Sequence, residues 1–101
     1  FYLHGAGYID GGQAVTGKWH HIACVWDGAE MSIYQDGRQV AKRQISGKHN
    51  PSTRNLYLGR YEHEGREYQM EGLITGIRIY PIALSPEQIT HEYSRLAETL
   101  R

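Results

Sequence analysis

Three groups of side chains in this chain have types and spacings that chemistry uses. The first is His20, His21 and Cys24, a base beside a thiol. On an extended strand His20 and Cys24 share a face, but at ~3.3 Å per residue they sit about 13 Å apart, too far for direct proton transfer. Cys24 therefore reads as a buried structural cysteine, the usual state of a free thiol. His21 reads as a hydrogen-bonded histidine on the face it shares with Trp19 and Ala23. The second group is His63-Glu64-Gly65-Arg66-Glu67, one residue short of the H-E-x-x-H zinc-protease pattern. Glu67 stands where the second histidine must be, and Gly65 disfavours the helix that would align the pair. What remains is a set of oxygens. Glu62, Glu64 and Glu67, with loop carbonyls, are candidate ligands for a hard cation such as calcium, against the competing reading of a solvated charged loop.

The third group interleaves tyrosines with arginines. Tyr34, Tyr57, Tyr61, Tyr68 and Tyr80 alternate along the chain with Arg60, Arg66 and Arg78. Saccharides require flat aromatic platforms for their C–H faces and planar donors for their hydroxyls, which tyrosine and arginine supply. The candidate ligand-binding set is Tyr34, Tyr57, Arg60, Tyr61, Arg66 and Arg78; the competing reading is that several of these tyrosines only cover a sheet. Aromatic and basic residues together also mark nucleic-acid binders. Here 11 Lys and Arg meet 11 Asp and Glu in 101 residues, and such a balance argues against a partner held by counterion release or by anionic lipid.

The elements that must position these groups follow from periodicity. Trp19 to Trp26 alternates with both faces largely apolar, the pattern of an interior strand covered on two sides. Asp27-Gly28 and Asp36-Gly37 are turn dipeptides, enclosing a strand from Glu30 to Gln35. Arg38 to Arg43 is polar enough for an edge. Ser46 to Arg54 has loop composition, and Asn55 to Tyr61 resumes a strand. The charged loop Glu62 to Glu67 leads into Tyr68 to Tyr80, which Gly72 and Gly76 are expected to break or bulge. At Ser85-Pro86-Glu87-Gln88 the period changes: an N-cap, a proline at the first helical position and a Gln three residues on make a capping box. Ile89, Tyr93, Leu96, Ala97 and Leu100 form the apolar stripe of that helix. A helix this short is marginal alone, so the stripe must be covered. A single cysteine makes no internal disulfide, and no apolar run approaches the roughly 20 residues of a membrane helix.

Taken in order, Trp19-His20-His21-Ile22-Ala23, Trp26-Asp27-Gly28, Ile33-Tyr34-Gln35-Asp36-Gly37, Leu56-Tyr57-Leu58-Gly59, Gly72 with Ile77-Arg78-Ile79-Tyr80, and Ala83-Leu84-Ser85 carry a resemblance. The chain resembles the laminin-G-like domains of the concanavalin A-like lectin/glucanase superfamily, from about Trp19 to Ile89. The resemblance implies an all-β antiparallel sandwich of jelly-roll topology, with one C-terminal helix. On this reading residues 1–84 are the C-terminal portion of such a sandwich, and residues 85–101 are an amphipathic helix packed on it or on a partner. Strands preceding Phe1 are expected in a longer parent, or in another polypeptide that completes the sandwich. Thr75-Gly76 stands where the family usually has an acidic pair, and Met70 where it has an aromatic. Both departures weaken a family-type calcium site and one aromatic platform.

Three function classes remain. The first is a non-catalytic, lectin-like carbohydrate-binding module, an accessory part of a larger secreted protein or enzyme, with a saccharide as partner. The second is a structural or protein-interaction module, and the third a part of a polysaccharide-degrading hydrolase or lyase. The strand motif E-x-D-x-x-E, with which glycosidases of this fold aim two acids at one bond, does not occur here. The resemblance implies an extracellular, periplasmic or cell-surface setting.

Overall fold

The computed structural model of the chain describes residues 1–3, 7–45 and 56–100, and the side chains of all of these except 61–63. The described elements are strands in antiparallel sheets followed by one C-terminal helix. A short ladder joins β1 (Tyr2–Leu3) to β2 (Gly7–Tyr8). A three-stranded meander runs β3 (Ile22–Trp26), β4 (Glu30–Gln35) and β5 (Arg38–Gln44). A second hairpin pairs β6 (Arg60–His63) with β7 (Arg66–Gln69), and α1 spans Pro86–Thr99.

The two turns of the meander have separate chemical causes. Asp27 Oδ1 accepts hydrogen bonds from the backbone N–H groups of Ala29 (2.9 Å) and Glu30 (2.7 Å), closing the turn with a side chain. These two donors hold the Asp27 carboxyl below the usual carboxylate range. At the β4–β5 turn, Asp36 (φ 52°) and Gly37 (φ 81°) both lie in the left-handed region, as the two-residue primed hairpin turn requires. One residue beyond the turn the register slips: Tyr34 pairs with Gln39 and Ile33 with Ala41, so Val40 is the extra residue of a bulge.

Because both connections are tight, the middle strand of the meander takes the centre. Met31 and Ile33 on β4 pack with Ile9 and Ile45, flanked by Phe1, Leu3, Trp26 and Ala41. Ser32 and Tyr34, on the opposite face of β4, are buried as well. The doubly apolar run at Trp19 to Trp26 is therefore not the interior strand. Only Ile22–Trp26 is extended in a ladder; β3 lies at the sheet edge, with Ile22 55% exposed and Cys24 exposed rather than buried. Apolarity on two faces gives a strand's appetite for cover, not its place in the sheet. β5, polar but for Val40 and Ala41, takes the other edge of the described sheet as its composition predicts.

Two other expectations change. Glu62 to Glu67 is not a loop but most of a hairpin, because Glu64 (φ 51°) and Gly65 (φ 76°) make a second two-residue turn that lets β6 and β7 close on each other. Of the strand expected over Asn55 to Tyr61, Asn55 lies outside the described residues, residues 56–59 form no strand, and β6 begins at Arg60. Beyond Gln69 the ladder adds one bond, Met70 N–H to the Gly59 carbonyl at 2.7 Å, and residues 70–80 form no strand. A strand exists only beside a neighbour that completes its hydrogen bonds, and among the described residues none lies along this segment. Its apolar side chains stay out, with Leu73 79% and Ile79 76% exposed. The loop expected at Ser46 to Arg54 lies outside the described residues.

The helix starts where the capping box puts it. Ser85 Oγ accepts from the Gln88 N–H (3.2 Å), and Gln88 Oε1 accepts from the Ser85 N–H (2.8 Å). Ile89 is 1% exposed, while Tyr93, Leu96 and Ala97 are half-buried. α1 meets the sheet at the β4–β5 turn: the Tyr93 ring lies against Gly37, and the Thr90 hydroxyl, which donates to the Pro86 carbonyl of its own helix (3.0 Å), stands 3.4 Å from the Gly37 carbonyl. A Cβ on Gly37 would stand 3.1 Å from Tyr93 Cδ1 and 3.8 Å from the Thr90 Cα.

Two expectations for stability follow. Gly28 (φ 99°) has open space around it, so Gly28→Ala should cost only its conformational term, about 1 kcal/mol. Gly37→Ala adds a clash and should cost about 2–3 kcal/mol, with the excess disappearing in a Tyr93→Ala background; chemical denaturation of the four variants checks this. Ile89→Ala should lose about 2–4 kcal/mol by the same measurement, and a loss below about 0.5 kcal/mol would mean the helix is a solvated tail.

Candidate functional site

The β6–β7 hairpin gathers most of the residues whose types pointed to ligand binding. Side chains alternate along each strand and directly paired residues share a face. Arg60, paired with Gln69, therefore shares a face with Glu67, while Tyr68 and Arg66 belong to the other. On the first face the Arg60 guanidinium lies 4.9 Å from the centroid of the Tyr57 ring, a cation–π contact made by the segment just before β6. The same guanidinium forms an ion pair with the Glu67 carboxylate of the neighbouring strand. Gly59 (φ 74°) lies in the left-handed region, and a Cβ there would stand 3.0 Å from Ile74 Cδ1 and 3.7 Å from Met70 Cβ. The result is a planar cation in contact with a ring on one side and a carboxylate on the other, at a hairpin with a two-residue turn.

On the opposite face Tyr68 and Arg66 are exposed. Tyr61 is the register partner of Tyr68, and its side chain lies outside the described residues, as does that of Glu62. The remaining two candidates are elsewhere. Tyr34 is 7% exposed on the central strand. Burial, then the charges of Glu30 and Glu87, push its hydroxyl above the usual tyrosine range. Arg78 lies against the helix, 3.5 Å from Glu92, whose carboxylate also accepts from Arg95 at 2.9 Å. The hydrogen bond from Arg95, with the charges of Arg95 and Arg78 beside it, holds Glu92 below the usual carboxylate range. The structure thus brings Tyr57 and Arg60 together, places Tyr61 and Arg66 on the same hairpin, and sets Tyr34 and Arg78 apart.

Among the candidate cation ligands, Glu67 is engaged by Arg60 and Glu64 sits in the turn. No group of three or more His, Cys, Asp or Glu among the described residues is arranged to hold a metal ion.

Glu67, by sequence either a candidate cation ligand or part of a solvated charged loop, is engaged by Arg60 in the structure. The signal for it is the hairpin itself, because a two-residue turn at Glu64-Gly65 fixes Arg60 and Glu67 as diagonal neighbours. A second constellation was not foreseen. Asp36 Oδ2 accepts from His20 Nδ1 (2.8 Å) and Asp36 Oδ1 from the His21 backbone N–H (2.9 Å), while the Asp36 N–H donates to the His21 carbonyl (2.9 Å). Burial pushes the Asp36 carboxyl up, but the bonds from His20 and His21 and the charges of His20 and Lys18 outweigh it, and the net direction is down. Next to it the Gln35 side-chain amide donates to the Gln13 carbonyl (2.7 Å) and accepts from the Gln13 N–H (2.9 Å), clasping the preceding loop to β4.

A family model described as the concanavalin A-like lectin/glucanases superfamily, Laminin_G_3, matches residues 1–90. Among solved structures, the chain is similar to the crystal structure of an S-layer domain-containing protein (residues 221–444) from Clostridium thermocellum ATCC 27405. The identity is 24% and the TM-score 0.64, over 86% of this chain and 47% of that one. This chain spans about half the length of that solved chain, and at this identity the likeness is one of fold. No curated protein matches the sequence.

The Tyr57, Arg60 and Glu67 contacts are exposed and so individually weak. Double-mutant cycles on thermal unfolding should give a coupling of about 0.5–1 kcal/mol for Tyr57 with Arg60 and about 0.5 kcal/mol for Arg60 with Glu67. The second value should shrink in high salt while the first persists.

Proposed function

The chain belongs to the concanavalin A-like lectin/glucanase superfamily, and we propose that it is a non-catalytic, lectin-like carbohydrate-binding module, an accessory part of a larger secreted or cell-surface protein. The observation that carries this reading is the Tyr57, Arg60 and Glu67 unit. The tyrosine offers a flat face to sugar C–H groups, while the guanidinium and carboxylate offer donors and acceptors to paired hydroxyls. Because Arg60 and Glu67 neutralise each other, the unit suits an uncharged saccharide over a polyanion. The S-layer domain of the structural neighbour supports a cell-surface setting, and no helix among the described residues is long and apolar enough to cross a membrane.

A second reading, a protein-interaction module, is favoured by one observation. Leu73, Ile77, Ile79 and Ile82, together with Ile22 on β3, are largely exposed. Apolar surface in such quantity belongs under a partner. On the accessory-module reading the partner is further polypeptide of the parent protein, which completes the sheet beside residues 70–80. The two readings are compatible in one parent and separate by experiment.

Isothermal titration of the intact parent protein with neutral oligosaccharides tests the first. Tyr57→Ala and Arg60→Ala should each cost about 1–2 kcal/mol of binding free energy. Arg66→Ala, on the other face of the hairpin, should leave the affinity within about 0.5 kcal/mol. Absence of binding across a broad glycan array would remove the lectin reading and leave the interaction module standing.

A further inference from the structure

Two histidine ring nitrogens are buried without a hydrogen-bond partner among the described residues, Nε2 of His20 and Nδ1 of His21. His20 has its other nitrogen on Asp36 and does not touch the helix through any described bond. His21 stands between the β4–β5 turn and α1. Its backbone N–H is fixed by Asp36 Oδ1, and its ring lies 6.1 Å from the Tyr93 ring, inclined at 41°. Tyr93 is the residue that seats the helix on Gly37. A neutral His21 ring with its proton on Nε2 leaves only a lone pair at Nδ1, a tolerable vacancy. A second proton would place a charged N–H where no acceptor faces it and water is largely excluded.

We propose that the seating of α1 on the β4–β5 turn is a pH-dependent latch, held while the His21 ring is neutral and released when the ring takes up a proton. The groups that face this ring come from each element around it. Asp36 of the hairpin turn and Glu92 of the helix act on it as charges, and the helix also presents Tyr93; Lys18 and His20 act on Asp36, and His91 on Glu92. The Asp36 and Glu92 carboxylates favour the charged ring, but each is already engaged, Asp36 by His20 and the His21 N–H, Glu92 by Arg95 and Arg78. Burial outweighs both and holds His21 below its ordinary value of 6.5.

The sign follows from linkage. A released His21 is solvated and binds its proton at the ordinary histidine pKa, whereas the seated ring binds it only at lower pH. The released state therefore carries more protons between the two values, and the seated state is favoured above the histidine range and weakens as pH falls through it. Asp36 acts in a separate window. Its folded-state carboxyl is depressed, so its contribution is present above the ordinary carboxylate value of 3.8 and is lost only as pH falls below that.

Amide hydrogen exchange on the intact parent protein, read as protection factors at about pH 7.5 and about pH 5, tests the latch. The α1 amides should lose at least about threefold in protection on acidification while β4 amides keep theirs. His21→Gln should flatten the α1 response and His20→Gln should leave it. Unchanged α1 protection, parallel loss in α1 and β4, or flattening by His20→Gln alone would each overturn the proposal. Should His21→Gln fail to fold, the ring's own titration by NMR in the wild-type protein decides. A midpoint below that of a free histidine, coincident with the α1 transition, supports the latch; a midpoint at or above it refutes the latch.

Discussion

The carboxylate of Asp36 is the point at which the described sheet, the loop before it and the helix converge. An aspartate can occupy the first position of a primed hairpin turn because its short polar side chain tolerates a positive φ. Here φ is 52° and the side chain is then aimed back across the ladder at His20 and His21. That geometry fixes where β3 begins and extends the β3–β4 ladder by one backbone bond. It also presents Gly37, the next residue, as a bare surface for Tyr93 and Thr90. The Trp-His-His segment and the Asp-Gly turn, far apart in sequence, are thus two halves of one contact.

From this junction the cover of the sheet can be traced. One face of β4 is closed by Ile9, Ile45 and the residues around Phe1, and the other buries Tyr34 on the side from which Glu87 acts on it. Cover runs out at β3, whose outer edge has no described partner, and along residues 70–80, where apolar residues alternate with polar ones yet no ladder forms. The alternation of Ile77, Arg78 and Ile79 is a strand pattern without a strand to pair with. Hydrophobic period specifies what a segment will do once a neighbour is present; the hydrogen bonds that make it a strand belong to the pair.

This distinction explains what could be read from the sequence. The capping box at Ser85 and both Asp-Gly turns are legible because their bonds close within a few residues, so local sequence carries the whole of the energetics. The family is legible because six short segments keep their order. Which strand is central is not, since β3 is more apolar than β4 but β4 is the one enclosed by two tight turns. Glu64-Gly65 does not read as a turn because charge on both sides suggests a solvated loop, although the φ demand is met by the same glycine device as at Gly37. Tyr57 with Arg60 was legible as composition; Glu67 as their partner was not, because it needs the hairpin register.

The hairpin also bears on what kind of recognition this face can support. A ligand platform built on loose side chains loses binding free energy to their ordering. Here Tyr57 is held by Arg60, Arg60 is held by Glu67, and both strands are tied by a two-residue turn that leaves little freedom. Each contact is weak by itself, but their value to a ligand lies in geometry fixed before binding and in partners that exchange one exposed polar contact for another. On the proposed reading, a sugar hydroxyl would exchange one exposed polar contact of the guanidinium–carboxylate pair for another, whereas an anionic group would have to displace Glu67. On the proposed lectin reading, the neutral pairing of Arg60 with Glu67 is therefore the feature that would set which ligands the hairpin admits.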